Sequence, residues 1–150
     1  MKVIKNYNAL LGENSENAKN HNIKIAIGTS EKFERVQFYL NKANIDKDTF
    51  NAIVCGDMVK NGKPAPDIYL NVCKQLDVNP EEAIVLEDSP NGIISAYRAK
   101  TNPVMVIDCI EPTQEIIELL YTTPLISLRE VQNLLPSLKK EKLYEEIDYR

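Results

Sequence analysis

Two adjacent carboxylates stand at the end of an apolar run in the stretch AIVLEDSPNG, residues 83–92. Four apolar residues come first, and Glu87 and Asp88 follow them at once. Neighbouring carboxylates repel each other and lose hydration when they are buried, and a divalent cation relieves both effects. Oxygen ligands favour Mg²⁺, which also keeps waters and substrate phosphate oxygens around it. The alternative is a pair of solvated acids that begins a helix, because Asp and Ser favour helix N-termini.

A lysine and two hydroxyls are the other candidates for chemistry. Lys63, in the segment NGKPAP, lies between a glycine and a proline, so its loop is stiff. A fixed ammonium near a metal could neutralise a phosphoryl group, although most loop lysines are simply exposed. Thr29 and Ser30 follow the apolar run of IAIGTS, where hydroxyls and free backbone N–H groups suit a phosphate. The alternative for these two residues is helix capping alone.

The elements that must position these residues alternate between short apolar runs and helical patterns. Such runs are typical of strands buried on both faces, and the alternation predicts a Rossmann-like three-layer α/β/α fold with a doubly wound parallel sheet. Ligands of such sheets bind beyond the carboxyl ends of the strands, where all three features lie. We predict strands within residues 23–30, 50–57, 83–86 and 103–108, and helices over EKFERVQFYLNKAN with Ser30 as N-cap, PDIYLNVCKQLDV, NGIISAYRAK and EPTQEIIELLY.

The totals are those of an ordinary soluble globular protein. The chain has 150 residues, a formal charge of −4, 43% hydrophobic and 27% charged residues. We predict a core domain over residues 1–136 and a charged tail over 137–150. No basic cluster indicates nucleic acid, and no apolar run indicates a membrane span. The three scattered cysteines, Cys55, Cys73 and Cys109, predict reduced thiols in a cytoplasmic protein, and the lone His21 predicts no metal site.

The order of the three segments resembles the haloacid dehalogenase superfamily, and within it the β-phosphoglucomutase-like branch. The segments IAIGTS, GKPAPDIYL and VLEDSPNGI carry the resemblance, which covers roughly residues 10–135. It implies a Mg²⁺-dependent phosphatase acting on a small phosphorylated metabolite such as a sugar phosphate. A phosphomutase of the β-phosphoglucomutase type is the alternative among enzymes.

The resemblance also implies a role for each residue. Thr29 would hydrogen-bond the transferring phosphoryl group, with Ser30 beside it. Lys63 would balance the charge between nucleophile and phosphoryl group. Asp88 would bind Mg²⁺ directly, with Glu87 as a further ligand or as a supporting partner behind it.

The sequence departs from the family pattern at its start. Members begin with an apolar strand ending in Asp-x-Asp-x-Thr or Asp-x-Asp-x-Val, whose first aspartate is the nucleophile. The 28 residues before Thr29 contain no aspartate. The segment Asp46–Thr49 partly matches, but it follows the Thr-Ser segment and no apolar strand precedes it, so we predict a turn. Asp108 ends a strand but has no second aspartate two residues on.

Two smaller expectations concern helix ends. Gly92 would permit tight packing where a helix starts. At Lys100, relatives commonly have a glycine after the helix, so we expect that helix to end differently here.

The missing strand should be central, between the Thr-Ser strand and the Glu-Asp strand, which would leave unpaired N–H and C=O groups on two neighbours. Three explanations remain open: an internal start in a longer gene product, one piece of a split protein whose partner chain supplies the strand, or a smaller closed sheet without catalysis. The alternative to an enzyme is a catalytically silent remnant that acts as a phosphate- or Mg²⁺-binding or interaction module.

Overall fold

The protein forms one parallel five-stranded sheet in a computed structural model that describes residues 2–3, 23–131 and 133. The strands lie in the order β3-β2-β1-β4-β5, and every neighbouring pair is parallel. This confirms the predicted Rossmann-like α/β fold. The strands are β1 (Lys2–Val3), β2 (Ile25–Gly28), β3 (Ala52–Val54), β4 (Ile84–Glu87) and β5 (Asn102–Met105).

Four α-helices and four short 3₁₀-helices accompany the sheet in the described residues. The α-helices are α1 (Phe33–Lys42), α2 (Asp67–Leu76), α3 (Pro90–Arg98) and α4 (Gln114–Ile117). The 3₁₀-helices are Lys47–Thr49, Gly56–Met58, Pro80–Glu82 and Leu128–Glu130.

Side-chain alternation along the strands divides the core between the two faces of the sheet. Ile25 and Ile27 of β2 belong to a cluster with Val36 and Leu40 of α1. Ala26, between them, belongs to a second cluster with residues of α2 and α3. Successive strand residues point to opposite faces, so α1 covers one face while α2 and α3 cover the other. Because helices cover both faces of the sheet, both sets of strand side chains are apolar, and the strands show no alternation of apolar and polar residues.

The expected gap at the centre of the sheet is filled by the chain's own β1. Lys2 pairs with Ile25 and Ile84, and Val3 pairs with Ala26 and Val85. The prediction that β2 and β4 face an open gap is therefore wrong where β1 lies. Buried strands leave N–H and C=O groups that need partners, and an extended segment between them supplies both rows of hydrogen bonds.

The predicted N-cap of α1 is also wrong. Lys32, not Ser30, precedes the first helical residue, and no side chain of that residue caps the helix. The Asp57 carboxylate instead accepts a hydrogen bond from the Phe33 N–H at 3.2 Å. Ser30 is displaced because its loop is bound to the next one: the Gly56 N–H donates to the Glu31 carbonyl oxygen at 2.9 Å.

The structure also tests the predicted turn at Asp46 and the predicted length of α4. Asp46 accepts from the Asp48 N–H and caps the 3₁₀-helix Lys47–Thr49, which confirms the predicted turn. The helix α4 is shorter than predicted, and residues 134–136, the charged tail, the N-terminal segment 4–22 and His21 lie outside the described residues. None of the helices in the described part of the chain is long and apolar enough to cross a membrane.

Candidate active site

Three sequence segments meet at the carboxyl ends of β2 and β4. Thr29 directly follows β2, and Glu87 ends β4, with Asp88 next in the chain. Lys63 reaches both strands from the loop between β3 and α2. Its ammonium donates to the Gly28 carbonyl oxygen at 3.3 Å and forms an ion pair with the Glu87 carboxylate. The predicted site residues therefore share one rim of the sheet.

The ion pair at the centre of this rim is closed to solvent. The side chain of Lys63 is 4% exposed and that of Glu87 is fully buried. A buried charge without a partner is strongly unfavourable, so each member of the pair offsets the cost of burying the other. A fixed cation thus lies beside the first residue after β2, where a phosphoryl anion would need it.

Tyr69 is the residue that the sequence analysis missed at this site. Its hydroxyl accepts a hydrogen bond from Lys63 Nζ at 2.7 Å and donates one to Glu87 Oε1. Burial, reinforced by the charge of Glu87, raises the pKa of Tyr69 well above its ordinary value, so the hydroxyl keeps its proton. In the sequence, Tyr69 falls within the predicted helix PDIYLNVCKQLDV, to which no chemistry was assigned. Its hydroxyl was the available signal, because a buried tyrosine usually needs a hydrogen-bond partner.

The loop that carries Lys63 is held by α3. The buried Ser95 hydroxyl donates to the Ala65 carbonyl oxygen at 2.7 Å, and the Arg98 guanidinium donates to the Pro64 carbonyl oxygen at 3.3 Å. The Lys63–Pro64 peptide bond is cis. These contacts fix the backbone from which the Lys63 side chain extends.

Glu87 is held from the other side by the start of α3. Ser89 caps this helix by accepting from the Gly92 N–H at 3.1 Å, and its hydroxyl donates to Glu87 Oε2 at 3.4 Å. A Cβ atom on Gly92 would lie 2.1 Å from Glu87 Cδ. The carboxylate therefore occupies the space that any larger residue at this position would need, which agrees with the tight packing implied for Gly92.

The two carboxylates differ in their fitness for Mg²⁺. The Glu87 oxygens contact Lys63, Tyr69 and Ser89, so this carboxylate suits the predicted supporting position better than that of a ligand. Asp88 is half-buried and follows β4 directly, which suits one metal ligand. No group of three or more His, Cys, Asp or Glu side chains that could hold a metal occurs in the described residues. Of the two predicted acids, Asp88 therefore suits the position of a Mg²⁺ ligand better than Glu87, and these roles stay predictions.

The hydroxyls after β2 have different surroundings. Thr29 is 2% exposed; its N–H donates to the Val54 carbonyl oxygen at 3.0 Å, and its Oγ1 accepts from the Glu31 N–H at 3.2 Å. Ser30 is exposed. The Phe33 N–H, which a phosphate could have used, is taken by Asp57. Thr29 therefore lies next to Gly28, whose carbonyl oxygen accepts a hydrogen bond from Lys63. Its part in phosphate binding stays a prediction.

Comparison with known proteins identifies the class to which this site belongs. The family model of haloacid dehalogenase-like hydrolases matches residues 4–106. The chain belongs to this family, which confirms the resemblance seen in the three segments.

The individual relatives include phosphatases and β-phosphoglucomutase-like proteins. The phosphorylated carbohydrates phosphatase of Thermotoga maritima is 42% identical over 84 residues, which are 56% of this chain and 38% of that protein. A crystal structure of a Thermotoga maritima protein assigned as a β-phosphoglucomutase has 32% identity and a TM-score of 0.76, over 87% of this chain and 60% of that one. CbbY from Rhodobacter sphaeroides, crystallised with phosphate, has 31% identity and a TM-score of 0.62, over 67% and 45% of the two chains. The chain thus spans less than two thirds of each of these relatives, between 38% and 60% of their length.

Proposed function

We propose that this chain supplies the phosphoryl-binding core of a Mg²⁺-dependent phosphatase that acts on a small phosphorylated metabolite, such as a sugar phosphate. The observation that carries the proposal is the buried ammonium of Lys63. It donates to the carbonyl oxygen of Gly28, next to Thr29, and forms an ion pair with Glu87, next to Asp88. A cation, the hydroxyl of Thr29 and the half-buried carboxylate of Asp88 at one rim suit a phosphate monoester and its metal ion. The family membership and the phosphatase among the relatives support the same chemistry.

Each residue has a proposed part in phosphoryl transfer. Thr29 would donate its hydroxyl to a phosphoryl oxygen, and Ser30 would lie beside it. Lys63 would neutralise charge that builds on the phosphoryl oxygens as the bond to the leaving group breaks. Asp88 would hold the Mg²⁺ ion, which supplies further charge neutralisation when bound.

Residues 1–28 do not provide the nucleophile that the family's mechanism requires. In the family an aspartate attacks phosphorus to form an aspartyl-phosphate, which water then hydrolyses. No aspartate precedes Thr29 in this sequence. We therefore expect the 150-residue chain to bind phosphate without turning over a phosphate ester.

Isothermal titration calorimetry with inorganic phosphate in the presence of MgCl₂ tests the binding site. Thr29→Val keeps the shape of the buried side chain but removes its hydroxyl, and we expect phosphate affinity to fall about tenfold. Asp88→Asn should weaken phosphate binding only when Mg²⁺ is present. Asp108→Asn, which changes an exposed aspartate at the end of the next strand region, is the matched control. Equal affinities for Thr29→Val and the unmodified chain would overturn the assignment of Thr29.

Hydrolysis of p-nitrophenyl phosphate tests the catalytic part. The 150-residue chain should be inactive with Mg²⁺, while a version extended upstream to include an Asp-x-Asp-x-Thr or Asp-x-Asp-x-Val strand should be active. Activity of the 150-residue chain that is lost in Asp46→Asn would show that the segment Asp46–Thr49 supplies the nucleophile after all.

A catalytically silent phosphate-binding module is the second candidate, since none of the roles assigned above to Thr29, Lys63 and Asp88 is that of a nucleophile. It predicts phosphate binding without turnover in both the short and the extended versions. A phosphomutase of the β-phosphoglucomutase type is distinguished from a phosphatase by product: transfer back to a sugar phosphate instead of release of inorganic phosphate.

A further inference from the structure

The hydroxyl of Tyr69 is the buried polar group at this rim that the proposed function does not use. Tyr69 is 1% exposed and lies on α2, six residues after Lys63. Its ring packs beneath the end of β2, since a Cβ atom on Gly28 would come within 3.0 Å of Tyr69 Cε1. The strand backbone therefore holds the ring, and the ring holds the position of the hydroxyl.

The hydroxyl touches both members of the ion pair. Lys63 Nζ donates to it at 2.7 Å, and the hydroxyl donates to the same Glu87 oxygen that accepts from Lys63. Lys63 Nζ also lies 4.7 Å from the centre of the Tyr69 ring. An ammonium has three N–H donors, and here they face a carboxylate, a phenolic oxygen and the Gly28 carbonyl oxygen.

The Lys63 ammonium is held from two sides, because the Glu87 carboxylate and the Tyr69 hydroxyl both accept hydrogen bonds from it. The lysine side chain is long and flexible, so a lone carboxylate would draw the ammonium toward itself. The phenolic oxygen gives the ammonium a second acceptor on the α2 side, while the phenolic proton satisfies part of the Glu87 charge. The remaining direction is toward Gly28 and hence toward Thr29.

We propose that Tyr69 is a positioning residue whose hydroxyl, bridging Lys63 and Glu87, holds the ammonium toward the Thr29 edge, where its positive charge can stabilise a phosphate monoester. Tyr69 acts through Lys63 and is not assigned a contact with the phosphoryl group. The part of the proposal that concerns phosphate rests on the proposed function, whereas the bridging of Lys63 and Glu87 does not.

Tyr69→Phe is the decisive variant, because it removes one oxygen and keeps the ring. Tyr39→Phe is the matched control: the Tyr39 hydroxyl accepts from Arg35 Nε at 3.1 Å, and the Arg35 guanidinium lies 5.6 Å from the Tyr39 ring. Both variants thus remove a phenolic oxygen that contacts a cation resting near the same ring. Only Tyr69 lies at the candidate site.

The first measurement is the proton–nitrogen NMR signal of the Lys63 ammonium group, which requires no ligand. A buried, hydrogen-bonded ammonium exchanges slowly with water, so we expect the signal in the unmodified chain, with a nuclear Overhauser contact to the Tyr69 hydroxyl proton. Tyr69→Phe should shift the signal and speed its exchange with water, while Tyr39→Phe should leave it unchanged. Absence of the contact in the unmodified chain, or an unchanged Lys63 signal in folded Tyr69→Phe, would overturn the proposal.

The second measurement is phosphate affinity by calorimetry, made well below the melting temperature of each variant. Tyr69→Phe should weaken phosphate binding about tenfold, since one hydrogen bond to a charged group is lost, and Tyr39→Phe should have no effect. A lower melting temperature of Tyr69→Phe with unchanged affinity would reduce Tyr69 to a stability role and overturn the proposal. If the unmodified chain binds no phosphate, the proposed function fails, and the Lys63 signal alone decides whether Tyr69 positions the ammonium.

Discussion

Gly92 shows how a single hydrogen atom in place of a side chain shapes the candidate site. The Glu87 carboxylate lies where a Cβ atom on Gly92 would be, at 2.1 Å from that atom to Glu87 Cδ. Glu87 in turn pairs with Lys63 and accepts from Tyr69. The absence of a side chain at one helix start therefore sets the position of the cation.

Gly92→Ala should displace Glu87 and disturb its pairing with Lys63. Overpacking of this kind typically lowers the free energy of unfolding by roughly 1–3 kcal/mol, and phosphate affinity should fall with it. Chemical denaturation followed by circular dichroism measures the stability. Gly62→Ala is the control, because nothing lies within 4 Å of a Cβ atom at Gly62. Similar losses in the two variants would mean that the contact with Glu87 is not responsible.

The Lys63–Glu87 pair makes a second prediction at this scale. Lys63→Met leaves the fully buried Glu87 carboxylate without its cation and should lower the free energy of unfolding by about 3–5 kcal/mol. Lys60→Met, at an exposed lysine of the same loop, should change it by less than about 0.5 kcal/mol. The double variant Lys63→Met/Glu87→Gln should recover part of the loss, because the unpaired charge is gone. No recovery would point to lost packing instead of lost charge pairing.

Three residues that follow helices share a backbone conformation with a positive φ angle. Asn44, Asp77 and Lys100 have φ values of 55°, 52° and 61°, and each follows a helix. This left-handed conformation favours glycine and is tolerated best by Asn and Asp among the other residues. Lys100 takes this conformation although lysine is not among the residues that favour it, and the expectation that this helix ends differently from those of its relatives stays a prediction.

Lys100→Gly should therefore stabilise the protein. A glycine relieves the clash of Cβ with the backbone, and the free energy of unfolding should rise by about 0.5–1 kcal/mol. Thermal unfolding followed by circular dichroism measures it. Lys74→Gly, which places glycine at an exposed position inside α2, should have the opposite sign. A loss of stability in Lys100→Gly would show that the lysine side chain matters more than the backbone.

The two loops after β2 and β3 are joined by Asp57. Its carboxylate accepts from the Phe33 N–H at the start of α1, and Gly56 donates to Glu31 beside it. Asp57→Ala should lower stability by about 1 kcal/mol, as other lost helix caps do, and should also weaken phosphate binding by loosening the loop that holds Thr29. Asp46→Ala removes a comparable cap, on the Asp48 N–H, and should lower stability alone. Equal phosphate affinities for the two variants would contradict a role for Asp57 in holding the loop.

At the scale of the whole molecule, burial of ionisable groups sets the response to alkali. Burial raises the pKa of the Cys55 thiol from 9.0 to about 11, and the pKa of Tyr69 also lies well above its ordinary value. Folding therefore keeps protons that the unfolded chain releases, and stability is lost as the pH rises. Both groups contribute in the same direction.

The free energy of unfolding should be constant with respect to Cys55 below about pH 9 and should fall between pH 9 and 11. Urea denaturation at a series of pH values measures this slope. Cys55→Ala should give a shallower slope over that range, while Cys109→Ala, at an exposed cysteine, should leave the slope unchanged. Identical slopes for all three proteins would show that the Cys55 thiol is not shielded by the fold.

The sequence by itself determined the layered fold and the rim at which the candidate site lies. Short apolar runs such as IKIAI and AIVL can be stable only when both faces are covered, so their alternation with helical patterns already implied a parallel sheet. In that sheet the carboxyl ends of strands share one edge, so the sequence pattern alone placed Thr29, Lys63 and Glu87 together.

Only the tertiary structure decided which groups are partners within that rim. Long-range contacts depend on distances that no local pattern carries, so the sequence could not show that Glu87 faces Lys63, that the Tyr69 hydroxyl joins them, or that Asp57 caps α1 from another loop. The central place of β1 was hidden for the same reason: two residues are too few to show a period, and pairing with β2 and β4 gives them their extended form. The sequence did not reveal Tyr69 as part of the site because hydrophobic periodicity registers only its ring, whereas the role proposed here depends on one oxygen atom and on what lies within hydrogen-bonding distance of it.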